Sequence, residues 1–361
     1  MSDEQSSPPP REVLARYRVE PTAPITPIAT GLINRTFVVE RAQSGDAPDK
    51  LVLQELHPVF GASVNEDIDA ITTHLAAKGM VTPRMVRTED GALFVEHATT
   101  QGDETVQKVW RAQTFIEARS VDRFDDPEQA REAGALVGRF HVAVDDLEYA
   151  YRHTRTGVHD TQAHLRKLAR ALDEKRDHPL YEQVFAEASP LLARAAGLPD
   201  FSKIAPRHVH GDLKVSNLLF DDGGRGVCLV DLDTLGTMAW PLEMGDALRS
   251  WTNPRKEDVT PASVDVELFA AAVMGYASEA KDVIDDDESA RLVDGMYLIA
   301  SELSARFLAD ALFESYFGWD SARYATRGAH NLARGVAMHD LARNIFDVRA
   351  SLEEIVALAF S

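Results

Sequence analysis

The segment HVHGDLKVSN spans residues 208–217 and is followed by a short apolar run, a turn rich in Asp and Gly, and a second apolar run ending in VDLD. This order predicts a loop and then a β-hairpin. The hairpin brings three side chains with oxygen atoms, those of Asp212, Asn217 and Asp231, to one end of its strands. Converging oxygen ligands suit Mg²⁺, and a carboxylate that is free of metal can accept a proton from a hydroxyl.

The intervals between these residues match a catalytic pattern. His210 lies two residues before Asp212 and Asn217 lies five after it, as in the kinase pattern H-x-D-x-x-x-x-N that precedes a strand-borne aspartate. Taken singly, these residues are explained as a core histidine and turn residues. Taken together, they favour phosphoryl transfer from ATP, with Asp212 as the base and Asn217 and Asp231 as Mg²⁺ ligands. Lys214 could offset charge on the γ-phosphate.

A second motif, GLINRTFVV at residues 31–39, lies between two predicted strands. A Gly and an Asn in such a turn, here Gly31 and Asn34, can bring backbone N–H groups against phosphate oxygens. Turns of this kind are common, so the motif gains its weight from its position, where a hairpin that covers a nucleotide belongs.

The remaining pattern predicts an α+β protein of two lobes. Strands are predicted at residues 25–28, 35–40, 51–56, 85–87, 93–96 and 109–116, and a helix at 64–78. Further helices are predicted at 128–144, 161–172, 180–196, 261–278, 288–312 and, with interruptions, 324–358, around a β insert at 207–234. We expect a disordered N-terminus at residues 1–10, a nucleotide-binding β-rich lobe at 11–117 and a catalytic helical lobe at 118–361, with a crevice between the lobes.

Composition restricts the partners and location that we expect. The 361 residues include 38 basic and 58 acidic side chains, and the net charge of −20 disfavours nucleic acid and anionic membranes as partners. Solubility explains this acidity, and a salt-adapted source is the alternative. No apolar stretch reaches the roughly 18 residues of a membrane span, and the first ten residues lack signal-peptide features. A single cysteine, Cys228, allows no disulfide within the chain, so we expect a cytoplasmic protein.

Segments between about residue 28 and about residue 345 resemble the aminoglycoside phosphotransferase and choline kinase superfamily, and more narrowly the bacterial N-acetylhexosamine 1-kinases. HVHGDLKVSN carries the resemblance to the superfamily. The narrower resemblance rests on GLINRTFVV, LVLQEL, EDIDAITTHLAAKG, VWRAQTFIEARSVDRF, GVHDTQAHLRKL, VDLDTLGTMAWPLEMGDALR and ELSARFLADAL. The resemblance implies a protein-kinase-like bilobal fold, with a small β-rich N-terminal lobe carrying one main helix and a larger, mostly helical C-terminal lobe. It also implies ATP and Mg²⁺ as cofactors and an N-acetylhexosamine as substrate, phosphorylated at its anomeric hydroxyl.

The resemblance further implies which residues meet the nucleotide. They are Gly31, Asn34 and Thr36 over the triphosphate, and Phe115, Ile116 and Glu117 at a hinge that contacts adenine. The strand lysine of most kinases is replaced by Gln54, which can hydrogen-bond a phosphate without neutralising it; the N-acetylhexosamine kinases resemble this chain in carrying Gln there. Glu66, on the following helix, is a candidate partner for whatever group replaces that lysine.

For the acceptor, Glu302, Arg306 and Asp310 lie at positions i, i+4 and i+8 and therefore share one helix face. The resemblance implies that they bind sugar hydroxyls, which suit planar donors and acceptors. A structural ion-pair ladder is the alternative. His159 and the adjacent Asp160 are either substrate contacts or turn and cap residues.

Several assignments remain open in the sequence. The pair His210-Gly211 resembles the aminoglycoside kinases more than the hexosamine kinases, so an aminoglycoside, choline, homoserine or a methylthio-sugar is an alternative acceptor. Because Gln54 replaces the strand lysine, a nucleotide-binding pseudokinase is a second alternative. We expect His210 to be structural and Asp246 to anchor the catalytic loop. The chain could be a monomer or a homodimer.

Overall fold

The computed structural model describes residues 7–28, 33–41, 49–101, 104–154 and 157–361. By its internal contacts the chain divides into two units. The first comprises residues 1–118, 146–154 and 228–235, and the second comprises residues 119–145, 155–227 and 236–361. The first unit carries a β-sheet and the second is mostly helical, which confirms the predicted α+β class.

The first unit is built on an antiparallel sheet. Its elements are α1 (Arg11–Arg16), β1 (Ile25–Ile28), β2 (Arg35–Glu40), β3 (Lys50–Leu56), α2 (Val64–Ala77), β4 (Met85–Val86), β5 (Phe94–Gln101) and β6 (Glu104–Thr114). The strand order is β1-β2-β3-β6-β4, and β5 pairs with β6 as a hairpin. The predicted strands near residues 93–96 and 109–116 are therefore too short. The residues between the two predicted strands are mostly polar, so the sequence pattern did not indicate that both strands continue into a hairpin. The length of that hairpin is set by backbone pairing and not by apolar alternation.

Alternation along the strands gives this sheet two different faces. One face carries Phe37, Leu53 and Trp110, which pack in an apolar core with residues 13–19. The other face carries a polar row, because Thr36 on β2 lies opposite Gln54 on β3, and Gln54 lies opposite Arg111 on β6. The register of three strands thus places these side chains next to one another.

Residues 146–154 belong to the first unit because they are tied to α2. The buried carboxylate of Asp67 accepts hydrogen bonds from the Tyr149 hydroxyl at 2.7 Å and from the backbone N–H groups of Arg152 and His153 at 2.9 and 2.8 Å. Burial and the neighbouring Asp67 raise the pKa of Tyr149 to about 12, so the phenol stays a donor. Asp146 binds His74 and Lys78 at the end of the same helix.

The second unit is assembled from helices and short strands. The helices are α3 (Pro127–Val144), α4 (Thr161–Glu174), α5 (Tyr181–Ala193), α6 (Trp240–Trp251), α7 (Val266–Ala280), α8 (Asp286–Ala290), α9 (Leu292–Phe313), α10 (Arg327–Asp347) and α11 (Arg349–Phe360). The strands are β7 (Arg119–Ser120), β8 (Pro206–Val209), β9 (Leu218–Phe220), β10 (Gly226–Leu229, at the border of the units) and β11 (Gly236–Ala239). β8 pairs with β11, and β7 pairs with β9. Throughout the described part of the chain, every helix is too short or too polar to cross a membrane.

Helix boundaries in this unit follow side-chain caps. Asp126, Asp160, Asp265 and Thr326 each accept a hydrogen bond from a backbone N–H in the first turn of the helix that follows. The helix predicted from residue 261 therefore begins at Val266, after the Asp265 cap. The helix predicted at residues 288–312 is divided at Arg291, because Asp285 starts α8 with a capping box of its own.

Helices α3 and α7 pack against each other through glycines. A Cβ atom on Gly134 of α3 would lie 2.0 Å from the carbonyl oxygen of Ala272 of α7. A Cβ on Gly275 of α7 would lie 2.0 Å from the carbonyl oxygen of Arg131 of α3. Both distances are far below a van der Waals contact and both neighbours are backbone atoms, so neither helix can accept a side chain without moving.

Gly134→Ala is therefore expected to destabilise the protein. Overpacking costs about 1–3 kcal/mol or more, and the better helix propensity of Ala recovers at most about 1 kcal/mol of this. Urea unfolding followed by circular dichroism measures the difference. Gly197→Ala is the matched control, because a Cβ there meets no atom within 4 Å. Equal unfolding midpoints for the two variants would contradict the close helix contact.

Candidate active site

The loop predicted to be catalytic, here called the catalytic loop, lies in the second unit and brings three of the predicted residues together. It runs from the end of β8 to the 3₁₀ turn at residues 215–217. The Asn217 amide nitrogen donates to the Asp212 carbonyl oxygen at 2.8 Å and to its carboxylate Oδ2 at 3.1 Å. Lys214 Nζ donates to the same Oδ2 at 2.7 Å. The Asp212 side chain is 30% exposed, so its carboxylate is held by two neighbours and still open to a reactant.

Asn217 and Asp231 have features that fit a hard cation. Asn217 is buried and its amide nitrogen is held by Asp212, so the amide oxygen is the atom that a cation would bind. Asp231, in the first unit, adopts the left-handed conformation, with φ 64° and ψ 56°. Residues other than Gly are uncommon there, and such strained backbone concentrates at functional sites.

A buried chain of hydrogen bonds anchors the catalytic loop. Glu243 on α6 accepts from the Gly211 backbone N–H at 2.8 Å and binds His141 Nε2 at 2.7 Å. His141 Nδ1 lies 2.9 Å from the Tyr276 hydroxyl, which accepts from Trp240 Nε1 at 2.8 Å. All four side chains are at most 4% exposed. We call Glu243, His141, Tyr276 and Trp240 the loop anchor.

The donors and acceptors of the loop anchor assign the histidine tautomer. Trp240 can only donate, so the Tyr276 oxygen accepts from it and donates its own proton to His141 Nδ1. The proton on His141 is then on Nε2 and faces Glu243 Oε2. Burial raises the pKa of Tyr276 well above its ordinary value, which keeps the phenol protonated in this role.

His210 and Leu213 complete the support of the loop from within the protein. His210 is fully buried, lies edge-on to the Phe140 ring, and its Nδ1 accepts from the Asp212 N–H at 3.3 Å. The Leu213 carbonyl accepts from Trp251 Nε1 at 2.6 Å. The backbone on both sides of Asp212 is therefore fixed by side chains of other elements.

Asp246, predicted to anchor the loop, binds Arg249 at 2.8 Å on the same helix. Burial alone would raise the pKa of Asp246, but the Arg249 guanidinium, with His159 and Arg306, outweighs burial and holds this pKa below its ordinary value. The backbone contact with the loop comes from Glu243, three residues earlier on α6.

Two of the three predicted acceptor residues on α9 are committed to the fold. Glu302 is fully buried and accepts from the Thr161 hydroxyl at 2.7 Å and from His159 Nδ1 at 3.2 Å. Asp310 is fully buried and accepts from the backbone N–H groups of residues 315–317 and from the Asn331 amide. Arg306 lies 3.8 Å from Glu302 and remains 21% exposed. Asp160, beside His159, has the alternative role of a cap on α4.

In the first unit, the polar row of the sheet binds the segment that carries Asp231. Gln54 Nε2 donates to Thr36 Oγ1 at 3.1 Å, and Gln54 Oε1 accepts from Arg111 Nε at 2.9 Å. Arg111 binds both carboxylate oxygens of Asp233, with Nη2 2.8 Å from Oδ2. Asn34 donates to Asp233 Oδ2 at 2.5 Å and accepts from the His57 N–H at 2.9 Å. Gly31 lies outside the described residues.

Glu66 is the candidate, from the sequence, for the partner of whatever group replaces the strand lysine. Its carboxylate binds Arg152 Nη1. The residue of α2 that contacts Arg111 is the preceding one, Asn65, through its Oδ1 at 3.5 Å. A shift of one residue turns a helical side chain by about 100°, which is why Asn65 is buried and Glu66 is not.

The predicted hinge residues follow the end of β6. Phe115 donates its backbone N–H to the Lys50 carbonyl at 3.4 Å, and Lys50 Nζ lies 5.4 Å from the centre of the Phe115 ring. Glu117 is largely exposed and binds the same lysine at 2.9 Å. Ile116 accepts from the Ala118 N–H at 2.9 Å, so the segment turns directly after the strand.

Sequence reasoning missed Glu243, Arg111 and Asp233 as site residues. Each had a recognisable signal, a charged side chain within an apolar run: MAWPLEM for Glu243, VWRA for Arg111 and LVDLD for Asp233. A charge in such a run has to find a partner once buried. The partners are distant in the sequence, so the signal indicates a buried pair without naming its other member.

The family model of the phosphotransferase enzyme family (APH) matches residues 24–277, which is most of the chain. The chain belongs to the phosphotransferase enzyme family. This confirms the resemblance to the aminoglycoside phosphotransferase and choline kinase superfamily. The match covers the GLINRTFVV motif, the sheet of the first unit and the HVHGDLKVSN segment.

Three solved structures share the fold of the chain at low sequence identity. Amicoumacin kinase hAmiN, in complex with AMP-PNP, Ca²⁺ and Ami, is 16% identical with a TM-score of 0.58, covering 89% of this chain and 91% of that one. A microcompartment-associated aminopropanol kinase is 14% identical with a TM-score of 0.60, covering 95% and 97%. An aminoglycoside phosphotransferase from Alicyclobacillus acidocaldarius is 16% identical with a TM-score of 0.60, covering 97% and 98%. A search of the curated proteins finds no match.

Proposed function

We propose that this phosphotransferase is an ATP-dependent kinase that phosphorylates the anomeric hydroxyl of an N-acetylhexosamine. The observation that carries the kinase part is the catalytic loop, where Asp212 is held by Asn217 and Lys214 and remains partly exposed. The nucleotide and divalent ion bound by the amicoumacin kinase support ATP with a divalent cation as cofactors.

In this proposal Asp212 orients the acceptor hydroxyl and takes its proton as the oxygen attacks the γ-phosphorus. Lys214, bound to the same carboxylate, lowers the cost of negative charge that develops nearby. Asn217 through its amide oxygen and Asp231 through its carboxylate would hold Mg²⁺. When bound, that ion would neutralise phosphate charge. Asn34 and Thr36, with Gly31, belong to the turn proposed to cover the triphosphate.

The hexosamine acceptor rests on the resemblance, and the charges of the second unit support it. A polycationic acceptor requires carboxylates without a cationic partner, but Asp246 is paired with Arg249 and Glu302 is enclosed by Thr161 and His159. Arg306 and His159 are partly exposed in this region, as is Asp246, whose charge Arg249 offsets. A guanidinium and an imidazole are suited to the hydroxyl and acetamido oxygens of a neutral sugar.

An acceptor panel tests the proposal. With ATP and Mg²⁺, we expect ADP release to be stimulated by N-acetylglucosamine or N-acetylgalactosamine, and ³¹P NMR of the product should place the phosphate on C1. The panel includes an aminoglycoside, choline, homoserine, aminopropanol and a methylthio-sugar, with Asp212→Asn as the background.

The outcomes of this panel separate the alternatives. If only a non-sugar acceptor stimulates ADP release, the kinase assignment stands and the hexosamine assignment is wrong. If ATP binds but no acceptor produces turnover, the result favours a nucleotide-binding pseudokinase.

A further inference from the structure

Arg111 is a buried, positively charged residue of the first unit. It lies on β6, in register with Gln54, on the polar face of the sheet. Its side chain is 1% exposed, as is the Asp233 side chain that it binds. A buried charge pair of this kind is costly to desolvate and persists only when its remaining hydrogen-bonding atoms are also satisfied.

Each nitrogen of the Arg111 guanidinium and each carboxylate oxygen of Asp233 has a hydrogen-bond partner. The guanidinium binds both oxygens of Asp233 and also donates through Nε to Gln54. The same carboxylate accepts from Asn34. Both oxygens of Asp233 are thus engaged by protein donors, which suits a structural anchor and not a metal ligand.

Asp233 lies two residues after Asp231. The left-handed backbone of Asp231 requires support from its surroundings. Residues 232–234 form one 3₁₀ turn directly after Asp231, so the Asp233 side chain fixes that turn against the sheet. We infer that Arg111 is a positioning residue for the reaction, which holds the Asp231 carboxylate in place for Mg²⁺ by clamping Asp233. This inference rests on the proposed role of Asp231 as a metal ligand.

The same geometry explains the glutamine at position 54. Gln54 Oε1 accepts from Arg111, and Gln54 Nε2 donates to Thr36. Lysine has no acceptor for the Arg111 N–H, and its ammonium group would face a buried guanidinium. The basic side chain of this face therefore lies on β6, one strand away from the β3 position that carries lysine in most kinases. The uncharged Gln54 on β3 accepts a hydrogen bond from it.

Arg111→Lys tests the role of the clamp, because it keeps the charge but loses the planar, two-pronged contact with Asp233. We expect the dissociation constant of ADP in the presence of Mg²⁺, measured by calorimetry, to rise at least about tenfold. ADP binding in EDTA should change much less. In turnover, the apparent KM for Mg²⁺ should rise while the KM for the acceptor stays constant.

Arg323→Lys is the control for losing a two-nitrogen contact with a carboxylate, at an arginine that is 39% exposed whereas Arg111 is 1% exposed. Arg323, in the second unit, also binds one carboxylate through two nitrogens, reaching Asp258 at 2.6 and 3.2 Å. A loss of stability alone should move the unfolding midpoint in both variants, and only Arg111→Lys should move the Mg²⁺ dependence. Gln54→Lys should weaken MgADP binding, and tighter binding in this variant would overturn the inference.

A variant without both charges covers the case in which Arg111→Lys does not fold. Arg111→Gln with Asp233→Asn leaves no lone buried charge, and we expect it to fold with weakened Mg²⁺-dependent ADP binding. Asp231→Asn is the reference variant and should lose metal affinity. If it does, full metal affinity in the double variant or in folded Arg111→Lys would overturn the inference. If the wild-type protein binds ADP equally with Mg²⁺ and with EDTA and shows no turnover, the proposed function itself fails.

Discussion

Asp212→Asn is expected to lower kcat at least about a hundredfold. Asparagine keeps the size of the side chain, so the contacts with Asn217 and Lys214 can be partly retained, but it cannot take up a proton from the acceptor hydroxyl. The binding of ADP should change little, because the substitution removes no group assigned to the nucleotide. Coupled ADP release under saturating ATP and acceptor measures kcat, and calorimetry measures ADP binding.

Asp222→Asn is the matched control for this prediction. Asp222 lies in the exposed turn between β9 and β10, ten residues further along, and carries the same charge change without a place in the site. It should keep full activity. Full activity in Asp212→Asn would remove Asp212 from its catalytic role, and equal losses in both variants would point to an effect of net charge.

Glu243→Ala is expected to destabilise the protein by about 2–5 kcal/mol and to lower kcat as well. The substitution leaves two donors without an acceptor, the partly buried Gly211 backbone N–H and the buried His141 Nε2–H. Gly211 lies next to Asp212 and has a φ of 82°, so the catalytic loop loses its contact at a backbone position with few alternatives. Urea unfolding and kcat are the measurements.

Glu243→Gln separates the two contacts of this residue. The amide oxygen can still accept from Gly211, but the amide nitrogen then meets the proton on His141 Nε2. We expect a smaller loss than for Glu243→Ala. Glu354→Ala, an exposed position in the middle of α11, is the control and should stay within about 0.5 kcal/mol of wild type. If Glu243→Ala unfolds at the same urea concentration as this control, the loop anchor contributes nothing to stability.

Local patterns in the sequence were enough to predict the parts of this protein that depend on near neighbours. The spacing of Asp212 and Asn217 led to a catalytic loop, and the structure joins these two residues by hydrogen bonds. Apolar alternation predicted β2 and β3, and apolar periodicity predicted α2 to within one residue. Such features are readable because strands repeat every two residues, helices every 3.6, and loops have characteristic residues.

The partners of the charged residues were decided only by the tertiary structure. Glu243 and Asp246 lie three residues apart on one helix, and packing selects Glu243 to hold Gly211 and leaves Asp246 with Arg249. Packing likewise selects Arg111 on β6 to bind Asp233, more than a hundred residues away. Residues 146–154 and 228–235 join the first unit for the same reason. A buried charge is stabilised by whichever opposite charge the fold brings within hydrogen-bonding distance, and that distance is set by how strands and helices pack, which no local pattern of residues contains.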